Sequence, residues 1–234
     1  MDKKNIGALF DRIAGSYDGL NHFLSFGIDR RWRKKAVKGM SGASEVLDVA
    51  IGTGDLSMEL LYQGKAEAIT GLDLSRNMME IGEAKLASGK CRDGGSMAGR
   101  VEFICGSALD MPFADERFDA VTCAYGVRNF SDLEKGLAEM YRVMKKEGEL
   151  MVLEFSYPEN RLVRWVYDLY FSHVLPFVGK VVSRDKTAYS YLNASVKGFI
   201  WGKEFCSRLE DAGFRDVSFR PMTFGVTTIY RAVK

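Results

Sequence analysis

From Glu45 onward, the sequence alternates short apolar runs with amphipathic stretches of helical length. Each apolar run is bounded by Gly, Asp or Asn, and this alternation is typical of βαβ units that build a mostly parallel sheet. The first five predicted strands cover residues 45–49, 68–73, 101–105, 118–124 and 148–155. The pattern therefore predicts an α/β fold in which helices pack on a parallel sheet.

The last strands predict a change of direction. Residues 216–223 and 226–233 flank a tight turn at Phe224-Gly225, and this arrangement favours an antiparallel hairpin at the end of a seven-stranded sheet. The polar, Gly-rich segment 89–100 predicts an exposed loop. Helices are predicted between the earlier strands at 55–64, 76–88 and 132–146.

Two further segments predict helices outside the alternating pattern. Residues 1–42 predict an N-terminal helical cap, because apolar residues recur at three- and four-residue spacings up to Tyr17. The Gly-Leu-Asn sequence at 19–21 predicts a turn, and a second helix is expected to end near 39–42. Between the fifth and sixth strands, the aromatic-rich segment 160–200 predicts a helical insert.

Composition excludes several classes of protein. The chain has 234 residues, of which 47% are hydrophobic and 27% charged, so we expect one ordered domain over 1–234. A formal net charge of +2 lacks the basic excess of proteins that bind nucleic acid. No apolar run reaches the roughly 18 residues of a membrane span. Four cysteines without a CxxC pair and a polar N-terminus predict a cytoplasmic location.

The segment DVAIGTGD at 48–55 joins the end of a buried strand to the start of a helix. Its glycines, Gly52 and Gly54, let the backbone approach a ligand closely. A dinucleotide-binding loop would have a third glycine where Ser57 stands, and Asp48 precedes the loop, where a carboxylate suits a cationic ligand such as a sulfonium. The alternative is a structural turn followed by a helix cap.

Three other strand ends predict the rest of an adenosine-sized site. Asp73 ends the second strand, where a carboxylate can accept both hydroxyls of a ribose. Ser107 and Ala108 follow the third strand and can present polar groups to an adenine edge. The fourth strand runs to Ala124 at the same edge of the sheet. Together with the glycine loop, these residues predict a site for an adenosyl cofactor and no metal ligands.

Three longer blocks are more specific: FDRIAGSYDGLNHFLSFGIDRRWR at 10–33, VLDVAIGTGDLS at 46–57 and PFADERFDAVTCAYGVRNFSDLEKGLAEMYRVMKKEGELMVLEFSYP at 112–158. These blocks resemble the C-methyltransferases of menaquinone and ubiquinone biosynthesis, and the C-terminal tail is similar too. The resemblance implies a class I Rossmann-like methyltransferase fold. It also implies transfer of a methyl group from S-adenosylmethionine to a ring carbon of a polyprenylated hydroquinone, with demethylmenaquinol as the acceptor.

The same resemblance implies cofactor contacts at Thr53, Asp73 and Ser107-Ala108, and a cap that folds over the cofactor. Some family members have Ser at the position of Ala124, which cannot donate a side-chain hydrogen bond. The candidates for contact with the substrate are Arg128, Asn129, Tyr17 and Asp29.

Arg128 is the first of these candidates, because a guanidinium after the fourth strand can stabilise a developing phenolate or hold the water that takes the proton. A structural arginine bonded to loop carbonyls is the alternative. Asn129 suits a turn or a helix cap equally well. We interpret His22 and His173 as partly buried polar residues.

A polyprenyl substrate requires an apolar route and access to a membrane. The run RRWRKK at 30–35 predicts contact with anionic lipid on the inner face of the membrane, and a solvated helix face is the alternative. Aromatic residues of the insert have the spacing of core helices, and we expect them also to line a substrate tunnel. They are Trp165, Tyr167, Tyr170, Phe171, Phe177, Tyr189, Tyr191, Phe199 and Trp201.

Other functions are compatible with parts of this pattern. A methyltransferase for another polyprenyl benzoquinol or a small phenol would need the same cofactor site. A nucleic-acid methyltransferase is disfavoured by the near-neutral charge and by the lack of an Asn-Pro-Pro-Tyr motif. A non-catalytic adenosyl-binding module would bind the cofactor without turnover. A homodimer is compatible with the sequence.

Overall fold

Seven strands form one sheet in the computed structural model, which describes residues 6–170, 172 and 186–234. The strands of the described chain are β1 (Ala43–Val49), β2 (Ala66–Asp73), β3 (Val101–Cys105), β4 (Phe118–Ala124), β5 (Met144–Phe155), β6 (Arg215–Met222) and β7 (Thr227–Val233). Their order is β3-β2-β1-β4-β5-β7-β6. The first five are mutually parallel, whereas β7 runs antiparallel to both β5 and β6. The predicted α/β fold and C-terminal hairpin are confirmed.

The strand order reverses at β1, and this reversal locates the ligand site. β2 lies on one side of β1 and β4 on the other, with Asp48 in register with Gly71 and Thr122. The connections after β1 and β4 therefore leave the sheet in opposite directions. In open α/β sheets, the crevice that forms at such a point, outside the carboxyl ends of the strands, is where ligands bind.

Three of the described helices start at a residue whose side chain caps them. Ser75 Oγ accepts the Met78 N–H, Asp132 accepts the Lys135 N–H, and Asn160 accepts the N–H groups at the start of its helix. The described helices are α1 (Ile6–Leu24), α2 (Ile28–Lys38), α3 (Asp55–Tyr62), α4 (Arg76–Ser88), α5 (Leu133–Val143), α6 (Arg161–Leu169), α7 (Lys186–Lys197) and α8 (Lys203–Asp211).

Apolar side chains cover both faces of the sheet. Leu47 points to the face packed by α5 and α8, and its neighbour Val46 points to the face packed by α2 and α3. This alternation follows from the two-residue period of a strand. Burial on both faces explains why the fully buried parts of β1, β4 and β5, at 46–49, 120–123 and 150–153, are rich in apolar residues.

The predicted turn at 19–21 is wrong, because α1 continues through these residues to Leu24. The chain turns instead at Phe26 and Gly27, which have positive φ values of 51° and 71°. A glycine inside a helix costs about 1 kcal/mol relative to alanine, and tertiary packing readily outweighs that cost. Here α1 packs against α4 and α2.

Two other predictions need adjustment. The segment 89–100 is a loop, but Cys91 and Met97 are buried, so it is not exposed throughout. The insert does contain helices, α6 and α7, while 171 and 173–185, with Phe171, His173 and Phe177, lie outside the described residues. Within the described part of the chain, no helix has both the length and the apolar character needed to span a bilayer.

Candidate active site

A cavity of about 340 Å³ opens at the carboxyl ends of β1, β2 and β4. Its size is in the range of small-molecule sites, and it has two walls. We call the side formed by the strand ends the sheet wall and the side formed by α1 the helix wall. The helix wall consists of Ile6, Gly7, Phe10 and Tyr17. Helix α1 therefore covers one side of the cavity, and Tyr17 faces it.

Five of the predicted cofactor residues line the sheet wall: Gly52, Asp73, Ser107, Ala108 and Ala124. Asp73 is fixed by the backbone, since its two carboxylate oxygens accept the N–H groups of Gly52 and Ser75, each at 2.8 Å. Burial raises the pKa of Asp73 above its usual range. Two backbone hydrogen bonds thus fix this carboxyl group on the cavity wall at the end of β2.

The other predicted residues of the loop lie behind this wall. Gly54 has a φ of 76°, and a Cβ added to it would lie 3.3 Å from the Leu86 side chain, so it allows α3 and α4 to pack closely. Thr53 is buried and its hydroxyl donates to Asp18 Oδ1 of α1 at 2.6 Å. Neither residue lines the cavity.

Asp48 is also placed away from the cavity. The Ser57 hydroxyl donates to one of its carboxylate oxygens at 2.6 Å, and the Thr122 hydroxyl donates to the other at 3.0 Å. Burial raises the pKa of Asp48 to about 6. The carboxyl group therefore ties the loop to the sheet, and the expected contact with a cationic ligand is not made from the cavity wall.

Two residues of the sheet wall have an uncommon backbone conformation that the sequence did not indicate. Ala50 and Tyr125 follow the neighbouring strands β1 and β4 and have φ values of 57° and 58°. Left-handed conformations of residues other than glycine are sparsely populated and cluster at functional sites. Gly126 makes the pair possible, because a Cβ at that position would lie 2.6 Å from the Ala50 Cβ.

Ion pairs and a hydrogen bond between side chains fasten α1, which forms the helix wall, to α3 and α4. Lys85 of α4 donates to Asp18 Oδ2 at 2.7 Å and to Asp55 Oδ1 at 2.5 Å. Nearer the start of α1, Asp11 accepts a hydrogen bond from the Ser75 hydroxyl at 2.6 Å. These contacts hold α1 against both ends of α4 and, through Lys85, link it to the start of α3. None of them was predicted, since the partners lie 30 or more residues apart.

Asp29, a predicted substrate residue, belongs to a cluster outside the cavity wall. The Arg33 guanidinium donates to Asp29 at 2.6 Å and to Asp55 at 2.5 Å, and His22 Nδ1 lies 2.7 Å from Asp29. His22, Asp29 and Asp55 have the composition of a cation site, but Arg33 already supplies positive charge between the carboxylates. His22 is half-buried, which agrees with its interpretation as a polar structural residue.

Arg128 forms a buried ion pair that the sequence did not predict. Its Nη1 donates to Glu154 Oε1 at 2.7 Å, and the side chains are 4% and 0% exposed. The same nitrogen donates to the Tyr125 carbonyl, and the guanidinium carbon lies 5.3 Å from the centre of the Phe155 ring. Burial raises the pKa of Glu154, and the neighbouring guanidinium opposes that shift. Arg128 thus supports the turn after β4 rather than lining the cavity, as the structural alternative predicts.

Asn129 does line the cavity, and it links the cavity to the insert. Its amide donates to the Tyr125 carbonyl at 3.3 Å, and its Oδ1 accepts the Tyr191 hydroxyl of α7 at 2.9 Å. No described residue of 160–200 lines the cavity itself. Trp165, expected in a tunnel, is exposed. The described part of the insert therefore does not line this cavity, and the substrate tunnel stays a prediction.

The run at 30–35 is divided between surface and interior. Trp32 is buried, and its indole N–H donates to Thr223 Oγ1 at 2.7 Å. Arg33 is buried in the cluster with Asp29. The expectation that these two side chains contact lipid is wrong, because both are needed to attach α2 to the rest of the fold. The other members, Arg30, Arg31, Lys34 and Lys35, are exposed.

The sheet order and the cavity at its reversal point define a class of protein. A solved methyltransferase from Thermotoga maritima, described as dependent on S-adenosylmethionine and as a possible histamine N-methyltransferase, has a TM-score of 0.66 with this chain at 20% identity. The likeness covers 97% of this chain and 99% of that one. The fold is that of a class I methyltransferase.

The family follows from the sequence as a whole. The chain belongs to the ubiE/COQ5 methyltransferase family, which it matches over residues 1–234. The demethylmenaquinone methyltransferase of Bacteroides fragilis is 40% identical over 99% of this chain and 93% of its own length. The ubiquinone/menaquinone biosynthesis C-methyltransferase UbiE of Geobacter sulfurreducens is 43% identical over 99% of this chain and 89% of its own length. The resemblance noted in the sequence is confirmed.

Proposed function

We propose that this methyltransferase transfers a methyl group from S-adenosylmethionine to a ring carbon of demethylmenaquinol, giving menaquinol. The observation that carries the proposal is the place of Asp73, whose fixed carboxyl group lies on the wall of a cavity that α1 covers. Membership of the ubiE/COQ5 family and relatives named for this reaction support the acceptor.

The cavity residues fit the proposed donor. The Asp73 carboxylate has lone pairs left for ribose hydroxyls after accepting two backbone N–H groups. Ser107 and Ala108 lie on the wall beside it, where they can meet the adenine, and Gly52 brings the backbone close without a side chain. When bound, the donor supplies a methyl group on a positively charged sulfur.

The chain contributes mainly positioning and the exclusion of water. Bringing two bound reactants into attack geometry can lower a barrier by roughly 7–11 kcal/mol. Phe10 and Tyr17 close the cavity from the helix wall, and Asn129 faces it from the turn after β4. We assign substrate contact to Tyr17 and Asn129. We assign to Arg128 the positioning of that turn, because its guanidinium holds the Tyr125 carbonyl and is itself fixed by Glu154.

We further propose that 1–42 acts as a cap over the donor and that 160–200 acts as a substrate lid within a single domain. α1 supports the first assignment because it forms one wall of the cavity. The Tyr191–Asn129 hydrogen bond supports the second, because it joins the insert to the cavity wall. The reaction would then take place on the inner face of the membrane, where a polyprenyl acceptor resides.

Transfer of a labelled methyl group tests the reaction. Demethylmenaquinone reduced with dithionite should accept the label, and the oxidised quinone should not, because methylation needs an electron-rich ring. Reduced demethylated benzoquinones, small phenols and RNA should be assayed in the same way as alternative acceptors. Labelling of one of these with no labelling of demethylmenaquinol would replace the proposed acceptor, and cofactor binding without any labelling would favour a non-catalytic module.

Titration calorimetry tests the donor site. Asp73→Ala should raise the dissociation constant for S-adenosylmethionine about 10- to 100-fold, because it removes a charged hydrogen-bond acceptor. Asp211→Ala, at an exposed carboxylate at the end of α8, is the matched control and should bind like the parent. If Asp73→Ala binds S-adenosylmethionine as tightly as the parent does, the proposal that Asp73 contacts the ribose is wrong.

A further inference from the structure

One face of α6 carries an apolar stripe that the described chain leaves uncovered. Leu162, Trp165 and Val166 are three and four residues apart and therefore share one side of the helix. Leu162 is 70% exposed and Trp165 is 62% exposed. On the inward side, Tyr167 is buried and its ring meets Tyr157 edge to face at 5.7 Å. The helix is thus attached by one face and presents large apolar side chains on the other.

A second exposed apolar residue lies beside the chain that leads into α6. Phe224, in the turn between β6 and β7, is 81% exposed. The turn is fixed to this region, because the Ser156 hydroxyl donates to the Gly225 carbonyl at 2.9 Å. A Cβ on Gly225 would lie 3.5 Å from the Cα of Pro158. The α6 stripe and Phe224 together form what we call the apolar surface.

Cations flank this surface on two sides. Arg161 is exposed at the start of α6. On the other side, Arg30 and Arg31 are exposed on α2, whose Trp32 is hydrogen-bonded to Thr223, the residue next to Phe224. The acidic residues nearby are Glu159, which is exposed, and Asp168, whose charge is paired with Lys197 at 2.9 Å. The rim is therefore predominantly basic.

We propose that the apolar surface docks the protein on the anionic face of a lipid bilayer. An amphipathic helix with Trp and Leu on one side and basic residues beside it has the properties of helices that lie in the membrane interface. Trp is suited to that position because one end of its ring is apolar and the other carries an N–H. The identification of lipid as the partner rests on the proposed function, in which the acceptor has a polyprenyl tail.

The surface is connected to the active site through one helix. Lys197 of α7 pairs with Asp168 of α6 at 2.9 Å, and Tyr191 of α7 donates to Asn129 on the cavity wall. A protein molecule docked through α6 would therefore hold α7, and through Tyr191 the Asn129 side of the cavity, near the membrane. A lipid-soluble acceptor could then reach Asn129 by a shorter path through water.

Vesicle co-sedimentation of the full chain tests the docking. The parent should bind vesicles of phosphatidylcholine with phosphatidylglycerol more tightly than vesicles of phosphatidylcholine alone. The double variant Leu162→Glu/Trp165→Glu should bind the anionic vesicles at least about tenfold more weakly. Phe224→Glu, on a different element, should weaken binding in the same direction. Tyr62→Glu changes an exposed aromatic residue at the end of α3, away from this surface, and should bind like the parent.

Measurements of the methylation rate distinguish failure of the docking proposal from failure of the proposed function. With a water-soluble demethylnaphthoquinol that lacks the tail, Phe224→Glu, which lies outside the substrate lid, should keep the rate of the parent. With demethylmenaquinol embedded in vesicles, its rate should fall with its binding. A parent that binds vesicles but methylates neither acceptor would contradict the proposed function and leave the docking supported.

Three results would overturn the docking. The first is that the parent does not bind anionic vesicles. The second is that the double variant and Phe224→Glu both bind them as tightly as the parent. The third is that light scattering shows the parent to be a dimer and the double variant to be a monomer. The last result would assign the surface to a second copy of the chain.

Discussion

The two walls of the cavity are built differently. The sheet wall is fixed by backbone hydrogen bonds, such as those from the Ile51 N–H to the Leu72 carbonyl at 3.1 Å and from the Tyr125 N–H to the Leu153 carbonyl at 2.7 Å. The helix wall is held mostly by side chains, through the pairs of Asp18 with Lys85 and of Asp11 with Ser75. Half-exposed ion pairs contribute little stability each, about 0–1 kcal/mol.

This difference separates the binding of a ligand from its enclosure. Asp73 and the turn after β4 cannot move without disrupting the sheet, so the groups offered to a ligand are already in place. We expect α1 to be able to release Lys85 and Ser75 while the sheet stays folded, because side-chain contacts and not sheet hydrogen bonds join them. We therefore expect changes in the sheet wall to lower global stability and changes in the helix wall to affect α1 locally.

The largest effect is expected in the sheet wall. Glu154→Ala should lower the free energy of unfolding by about 3–5 kcal/mol, because it leaves the Arg128 charge buried without its partner. Urea denaturation measures the loss. Glu134→Ala is the control, since Glu134 pairs with Arg208 at 3.3 Å on the surface and should cost less than about 1 kcal/mol. Equal losses in the two variants would contradict the rigid role of this wall.

A pH titration of stability tests the carboxyl group under the loop. The pKa of Asp48 is raised from 3.8 to about 6, so the folded state keeps a proton that the unfolded state has lost. Stability should therefore fall as the pH rises from about 4 to about 6. Asp48→Asn removes this titration, and its stability relative to the parent should increase by up to about 3 kcal/mol across that window. Parallel pH curves would show that Asp48 titrates normally.

A local effect is expected in the helix wall. Asp18→Asn weakens the contacts with Lys85 and Thr53 and should lower the protection of α1 amides against hydrogen exchange by about 1 kcal/mol. Protection in β1 and β4 should stay unchanged. Glu80→Gln, at an exposed site on α4, is the control. Loss of protection throughout the sheet would mean that the two walls unfold as one unit.

The smallest effect is expected at the joint between α1 and α2. Phe26 is exposed and has a φ of 51°, a conformation that asparagine adopts more readily than phenylalanine. Phe26→Asn should stabilise the protein by about 0.5 kcal/mol in thermal unfolding. A loss of stability would show that the ring has a contact that fixes the helix wall.

The sequence predicts the strands because their period and boundaries are local properties. β3 and β4 end where the apolar runs end, and α4 spans the residues predicted for it, with Ser75 as its cap. The turn at 19–21 could not be predicted correctly, because the packing of α1 on α4 outweighs the local preference of glycine.

The site was predictable only in part, for a related reason. The strand ends place Asp73 and Ser107 at one edge of the sheet, as the parallel topology requires. The direction of each side chain depends on its position in the pleat, and Asp48 turned away from the cavity toward Ser57 and Thr122. The partner of Arg128 lies 26 residues further on, in a different strand, and no local pattern indicates such a pair.

The hydrogen bond between Trp32 and Thr223 joins residues 191 positions apart in the chain. It makes the buried indole a spectroscopic probe of whether the first and last segments have assembled. Emission from Trp32 should shift to longer wavelength when α2 detaches from the turn between β6 and β7. The exposed Trp165 should emit near the wavelength of free indole in water. In the variant Trp201→Phe, which lacks the third tryptophan, the two signals then report separately on folding and on the surface of α6.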